Sequence, residues 1–298
     1  MSLSIFLQVL IGGVVLGSIY ALVAFGLSLV YGVVRILNFS HGTVLVASAI
    51  AASVLFAAYA LNPFVITLLL IPPLMVLGYG FYVVLLDPLF RRPPAEMTVG
   101  TVLVTVGALL ILSDLAAVLA GTSVRGIQVE GAIFVIGDVI LSATNLAIMV
   151  GIAFLVFIIH YILRHTWLGC AIRAVTQDEL GARICGVRSR TIRASTFAFS
   201  YAVVAVAAVF YAMTYPVDPY VGLSLTVKAF TVIVLGGIGN LPGSLMAGLF
   251  LGTTEAFTAF FAGTAWAPAV SILLLLLILV LLPRGSVSRK SWRKWRTS

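Results

Sequence analysis

Nine apolar runs, at about 5–33, 43–61, 63–86, 97–121, 139–163, 194–215, 225–238, 244–262 and 265–283, leave this chain little polar sequence in between. A helix needs roughly 20 apolar residues to cross a bilayer, and most of these runs are near that length. In hydrocarbon the backbone must satisfy its own hydrogen bonds, which leaves helices as the simple way for such runs to cross. The expectation is an all-α, polytopic membrane helical bundle of roughly 8–9 spans with discontinuous helices. The composition agrees, at 62% hydrophobic and 9% charged residues. The first run outlasts a signal peptide and has no basic segment before it, so it reads as a retained first span.

The net charge of +8 would fit nucleic acid, but its distribution argues against that partner. Fourteen of the 17 basic residues lie at Arg91–Arg92, in the stretch Arg164–Arg193, or in the tail from Arg284 to Arg296. Retention of positive charge on the cytoplasmic side produces such clusters. That rule places 164–193 and the C-terminus in the cytoplasm, with joins at about 34–42, 87–96 and 239–243 on the same side. Outside lie 122–138, 216–224 and the short joins near Asn62 and Gly263, and the N-terminus. The tail, with Trp292 and Trp295 among its cations, is suited to anionic lipid head groups. Cys170 and Cys185 fall in the reducing compartment without C-x-x-C spacing, so neither a disulfide nor a metal site is expected.

Two segments interrupt the apolar pattern in ways a plain span would not. The first is Arg35-Ile-Leu-Asn-Phe-Ser-His-Gly42 and the second Gly236-Gly-Ile-Gly-Asn-Leu-Pro-Gly-Ser244. They are either ordinary loops or breaks inside membrane helices, which persist only when buried or lining a polar cavity. In the second reading Asn38, Ser40, His41, Gly42, Gly236, Gly237, Gly239 and Asn240 line a solute path with small, uncharged groups. For His41 a structural role capping the next helix competes with that reading. Pro72-Pro73 should kink the third run.

The polar stretch carries a pattern of its own. Ile172, Thr176, Leu180, Ile184 and Val187 recur at helical spacing, giving one apolar stripe on a short helix that Gly186 closes. The opposite side offers Arg173, Asp178, Glu179 and Arg183 to a partner. Asp114 and Glu255 stand within apolar runs, where a carboxylate normally faces a cavity or a cation. Arg35 and Lys228 are the basic residues at comparable positions.

Gly17-Ser-Ile-Tyr-Ala-Leu-Val-Ala-Phe-Gly-Leu27, Tyr31-Gly32 and Asn38-Phe-Ser-His-Gly42 resemble the opening of the branched-chain amino acid ABC transporter permeases. Gly169-Cys-Ala-Ile-Arg-Ala174 with Ala182 and Gly186-Val187 resembles that family's ATPase-docking loop. Lys228-Ala-Phe230, Leu235-Gly-Gly-Ile-Gly239, Leu241-Pro-Gly243 and Leu281-Leu-Pro-Arg-Gly285 are similar to its later signatures. Asn240 and Ser244 depart from the usual small residues, Thr176-Gln-Asp-Glu179 is not the commonest loop sequence, and the tail lacks Leu-Phe after Gly285.

The resemblance implies a single transmembrane permease domain over 1–298, with 164–193 as the ATPase-docking loop and 284–298 as a basic cytoplasmic tail. It assigns docking to Arg173, Ala174, Asp178, Glu179, Ala182 and Gly186. The implied partners are two cytoplasmic ATPase subunits, a second homologous permease (a different chain or a second copy), and an extracytoplasmic solute-binding protein. Branched-chain or related small amino acids are the implied cargo, with urea, amides or another small solute as alternatives. No G-x-x-x-x-G-K-[ST] phosphate loop occurs, so the chain itself is not expected to be an enzyme or to hold a cofactor. An ion-coupled secondary transporter working through Asp114 or Glu255 is the competing class. An intramembrane enzyme lacks its motifs here, with neither H-E-x-x-H nor G-x-S-x-G present.

Overall fold

The computed structural model describes residues 3–129, 131–136, 138–237 and 240–281. In chain order the helices are α1 (Leu3–Val34), α2 (His41–Tyr59), α3 (Pro63–Gly80), α4 (Pro94–Ala120), α5 (Ala143–His165), α6 (Trp167–Gln177) and α7 (Glu179–Ile184). They continue as α8 (Ser189–Thr214), α9 (Gly222–Gly236), α10 (Leu241–Ala262) and α11 (Ala267–Leu281). Among the described residues, seven helices are long and apolar enough to cross a membrane. Two shorter apolar ones, α9 and α11, have 15 residues each.

Local chemistry accounts for the boundaries. Asn62 starts α3 by accepting from the Phe64 N–H at 2.9 Å, with Pro63 at the first helical position, where its missing N–H is not needed. The α-helix then runs unbroken through Pro72 and Pro73. A π-helical turn Phe81–Leu86 and a 3-10 turn Asp87–Arg91 then extend this span to Arg91. The run expected from 139 is corrected at its start. Val139–Ser142 is a strand (β2) paired antiparallel with Ile133–Ile136 (β1), with Phe134 opposite Leu141, and α5 begins only at Ala143. The β-branched residues Ile133, Val135, Val139 and Ile140 favour the pleated pairing over a further helical turn.

The chain divides into two compact units, one of 1–28, 130–152 and 227–298, the other of 29–129 and 153–226. Lipid tails are as apolar as leucine, so helices in a membrane associate through close packing rather than hydrophobic expulsion. In the first unit α1 and α10 meet glycine to glycine. A Cβ on Gly17 would lie 2.5 Å from the Gly248 carbonyl oxygen and 2.7 Å from the Leu249 Cα. Gly252 is seated on the Gly17 backbone in the same way. In the second unit α8 is the centre, packed against α2 and α3. Its Phe197 and Tyr201 are wholly buried, and Gly78 of α3 lies against both.

Joins expected on one side of the membrane meet one another in the second unit. Asp87 pairs with Arg190 at 2.9 Å, linking 87–96 to 164–193. Arg125 and Val217 exchange both backbone hydrogen bonds (3.0 and 2.7 Å), linking the two long loops that were expected outside.

Candidate functional site

The polar stretch 164–193 folds as two helices where one was expected. Thr166 caps α6, accepting from the Gly169 N–H at 3.3 Å, and Gly169 presses onto the Leu163 backbone, where a side chain would collide. The chain therefore turns back sharply at the end of α5. Asp178 then stops α6 and caps α7 by accepting from the Leu180 N–H at 3.0 Å. An aspartate that can bond its own backbone two residues on breaks the helix that the spacing alone would continue.

That break splits the expected stripe. Ile172 is buried, at 4% exposed, and Thr176 and Val187 are half-buried, whereas Leu180 and Ile184 stand out at 69% and 80%. Gly186 does close α7, at φ +84°, with its N–H on the Arg183 carbonyl and that of Val187 on the Ala182 carbonyl, both at 3.0 Å. This is the Schellman arrangement, which needs a residue free to adopt positive φ. Among the other expected docking residues Arg173 is exposed and donates to the Leu163 carbonyl, Ala174 is half-buried, and Ala182 is buried.

Glu179 is turned inward. Its two oxygens accept from Arg183 of α7 and Arg193 of α8, each at 2.5 Å. Partial burial disfavours its charge, but attraction and hydrogen bonds from Arg193 and Arg183 outweigh that and hold the carboxyl below its ordinary value. Cys170 and Cys185 are exposed and free.

At the first interruption Arg35 takes a left-handed conformation (φ 58°) with its N–H on the Tyr31 carbonyl, ending α1. Asn38 Oδ1 accepts from the Ser40 N–H (3.1 Å) and Ser40 Oγ (2.7 Å), and Ser40, not His41, takes the N-cap position of α2. Gly42 sits against Gly222 and Thr226, and its N–H donates to Thr226 Oγ1 at 2.9 Å. The single Thr226 hydroxyl proton is within reach of two carbonyls, Phe39 at 3.1 Å and Gly222 at 3.0 Å. Asn38, Ser40, His41 and Thr43 have no exposed surface.

The second interruption closes on itself. Gly237 takes φ +89°, and the Asn240 side chain serves both helix ends. Its Oδ1 accepts from the Gly243 N–H at 3.2 Å, and its Nδ2 donates to the Gly236 carbonyl at 3.3 Å. Gly236 and Gly243 touch backbone to backbone. Gly239 lies outside the described residues, as does the basic tail. The two interruptions fall in different units.

The intramembrane carboxylates differ from each other. Asp114 lies exposed on α4. Glu255 of α10 is 2% exposed and pairs with Lys228 of α9 at 2.9 Å. Tyr20 of α1 donates to the same carboxylate oxygen at 2.9 Å while accepting from Lys228 at 2.7 Å, and Ser271 of α11 donates to the other oxygen. Lys228 is one of the two basic residues, with Arg35, that the sequence offers at comparable positions. Nothing there signalled Tyr20 or Ser271, nor Arg193 as the partner of Glu179.

Membrane-length apolar helices with capped interruptions and one helical polar excursion define a multi-pass membrane protein of the helical-bundle class. The chain belongs to the family described as the permease component of the branched-chain amino acid transport system, which matches residues 9–281. It is 33% identical to the high-affinity branched-chain amino acid transport system permease protein BraD of Pseudomonas aeruginosa, over 97% of this chain and 98% of that one. Identity to the LivH permease protein of Escherichia coli strain K12 is 29%, covering 97% of both. A probable LivH of Methanocaldococcus jannaschii is 21% identical, covering 96% of this chain and 94% of that one. The fold resembles a chain of PsaBC from Streptococcus pneumoniae in complex with Fab, at a TM-score of 0.52 and 12% identity, over 95% of this chain and 93% of that one.

Proposed function

We propose that this chain is the membrane subunit of an ATP-driven importer that moves branched-chain or related small amino acids into the cytoplasm. The observation that carries this reading is family membership extending over residues 9–281. Hydrolysis then comes from two separate cytoplasmic ATPase subunits, an external binding protein delivers the solute, and a second permease completes the pore. The docking surface is the α6–α7 segment, with Leu180 and Ile184 as the side chains offered to the ATPase. Arg173, Asp178 and Gly186 shape that surface, and Ala174, Glu179 and Ala182 support it from behind. The segment and the C-terminus lie in the cytoplasm, a placement supported by the arginine clusters. Helices α9 and α11 complete the bundle with further passages, α9 ending within the membrane at the Gly236–Asn240 break.

For the solute path the reading is a transient one. Asn38, Ser40, His41 and Gly42 are wholly buried here, so they border the path only after α2 and α9 part at the Gly42–Thr226 contact. Gly236, Gly237, Gly239 and Asn240 supply the second border. The test is uptake by proteoliposomes holding both permeases and the ATPases, with the loaded binding protein outside and ATP inside. Leucine accumulation that needs ATP and survives ionophores is expected. Accumulation that instead follows a proton or sodium gradient overturns the proposal.

A further inference from the structure

Helix α7 has only six residues, too few for a helix to persist on its own in water. It nevertheless holds Leu180 and Ile184 at a fixed, exposed attitude. What fixes it is a set of contacts that the docking role does not use. Glu179 joins Arg183 within α7 to Arg193 of α8, and Arg183 Nε donates to Ser189 Oγ at 3.2 Å, at the first residue of α8. The Arg193 side chain is 12% exposed, and its guanidinium lies 4.4 Å from the centre of the Phe90 ring. Phe90 belongs to the 3-10 turn that ends the third span, and Asp87 of that turn holds Arg190 of α8 at 2.9 Å.

The contacts therefore run in one line from α7, through the first turn of α8, to the cytoplasmic-facing end of the third span. A planar guanidinium can hold a carboxylate with its edge and stack on an aromatic ring with its face, which a lysine cannot do. Burial of Arg193 shields the pair from solvent, so it is stiffer than an ordinary surface ion pair. Beyond that turn, α8 is the most buried span of its unit and packs directly on α2 and α3.

We infer that Glu179, Arg193 and Phe90 form a strut that carries movement of the docked segment into α8 and the third span, with Glu179 a positioning residue rather than an ATPase contact. The inference rests on the docking reading above. A strut and a contact differ in what their loss affects. Loss of a contact weakens ATPase binding, whereas loss of a strut leaves binding intact and breaks the coupling of hydrolysis to transport.

The test uses the reconstituted complex in nanodiscs and proteoliposomes, with Glu179→Gln, Arg193→Gln, both together, Phe90→Leu, and the pair Leu180→Ser with Ile184→Ser. ATPase affinity, stimulation of hydrolysis by the loaded binding protein, and uptake are measured for each. Glu179→Gln and Arg193→Gln should bind ATPase within about twofold of wild type yet lose stimulation and uptake at least about tenfold. The double variant should be no worse than either single one, as expected when two residues act through one interaction. If Arg193→Gln does not fold, Phe90→Leu loosens the strut from its far side while keeping an apolar residue, and should still lower coupling. Normal coupling in both Glu179→Gln and Phe90→Leu overturns the strut. So does a tenfold loss of ATPase affinity in Glu179→Gln alone, which would make Glu179 a direct contact. The Leu180–Ile184 variant is the separate control: it should weaken ATPase binding, and normal binding there defeats the docking reading itself.

Discussion

Glu255 and Glu179 each accept from a cation and from a second donor, but in surroundings that give the two ion pairs different work. Glu255 is enclosed by α1, α9, α10 and α11, and its donors are Lys228, Tyr20 and Ser271. Glu255 is 2% exposed, so each bond left unmade there costs most of a desolvation penalty. Glu179 is about one-third exposed, and of its partners Arg193 is largely buried while Arg183 stands mostly in solvent, which can replace much of what Arg183 supplies. The lesson is that the enclosed pair is coupled to whether the unit folds. The exposed pair is coupled to where a short helix points.

The largest effect that separates the two is Lys228→Met. It strands a buried carboxylate and should cost about 3–5 kcal/mol, against less than about 1 kcal/mol for Glu179→Gln. Lys228→Met with Glu255→Gln should recover most of that loss, because the charge left behind is then gone. Reversible unfolding in bicelles measures all three. A Lys228→Met protein as stable as wild type would show that the node is not what holds the four helices.

Next in size is Gly17→Val, which sharpens the comparison by striking the same unit through packing alone. Its side chain meets the backbone of Gly248 and Leu249, so about 1–3 kcal/mol should be lost without any change in charge. The loss should add to that of Lys228→Met if glycine packing and the ionic node act independently; a combined loss well below the sum would join them into one interaction.

Asn240→Ala comes third, at about 1 kcal/mol, the usual worth of an N-cap. Because the same side chain also serves the Gly236 carbonyl, faster hydrogen exchange should appear on both sides of the break. Exchange confined to the start of α10 would mean that the two helix ends are not held in common.

The smallest effect is that of pH on α7. The carboxyl of Glu179 is held below its ordinary value of 4.5, so its stabilising contribution is fully present above that value and disappears as pH falls through the lowered one. A fluorine label on Cys185, with Cys170 replaced, should report a more mobile α7 only below pH 4.5 in wild type, and a mobile α7 at every pH in Glu179→Gln. A wild-type signal that loosens near neutrality would assign the transition to another group.

The C-terminal position of Gly186 in α7 was legible, because a glycine after a short apolar period has a local meaning. The division of α6 from α7 at Asp178 was missed, since an aspartate inside a helical spacing can either tolerate the helix or cap a new one. The strand at 139–142 was absorbed into an apolar run for a similar reason: apolar composition does not state its period over four residues. At the interruptions the sequence marked the positions, and the structure supplied the partners, Thr226 for Gly42 and Asn240 for the ends of both neighbouring helices.

What the sequence determined by itself is a succession of membrane-length helices, the polar excursion after α5 and the two interruptions at 35–42 and 236–244. Hydrocarbon imposes those on any chain with such runs, and caps and glycines act within a few residues of themselves. Tertiary structure alone decided that Tyr20 meets Glu255, 235 positions away, and that Arg193 meets Glu179 from the next helix. Such pairings follow from which faces the helices bury against one another, and a charge or a hydroxyl carries no mark of the distant helix that will satisfy it.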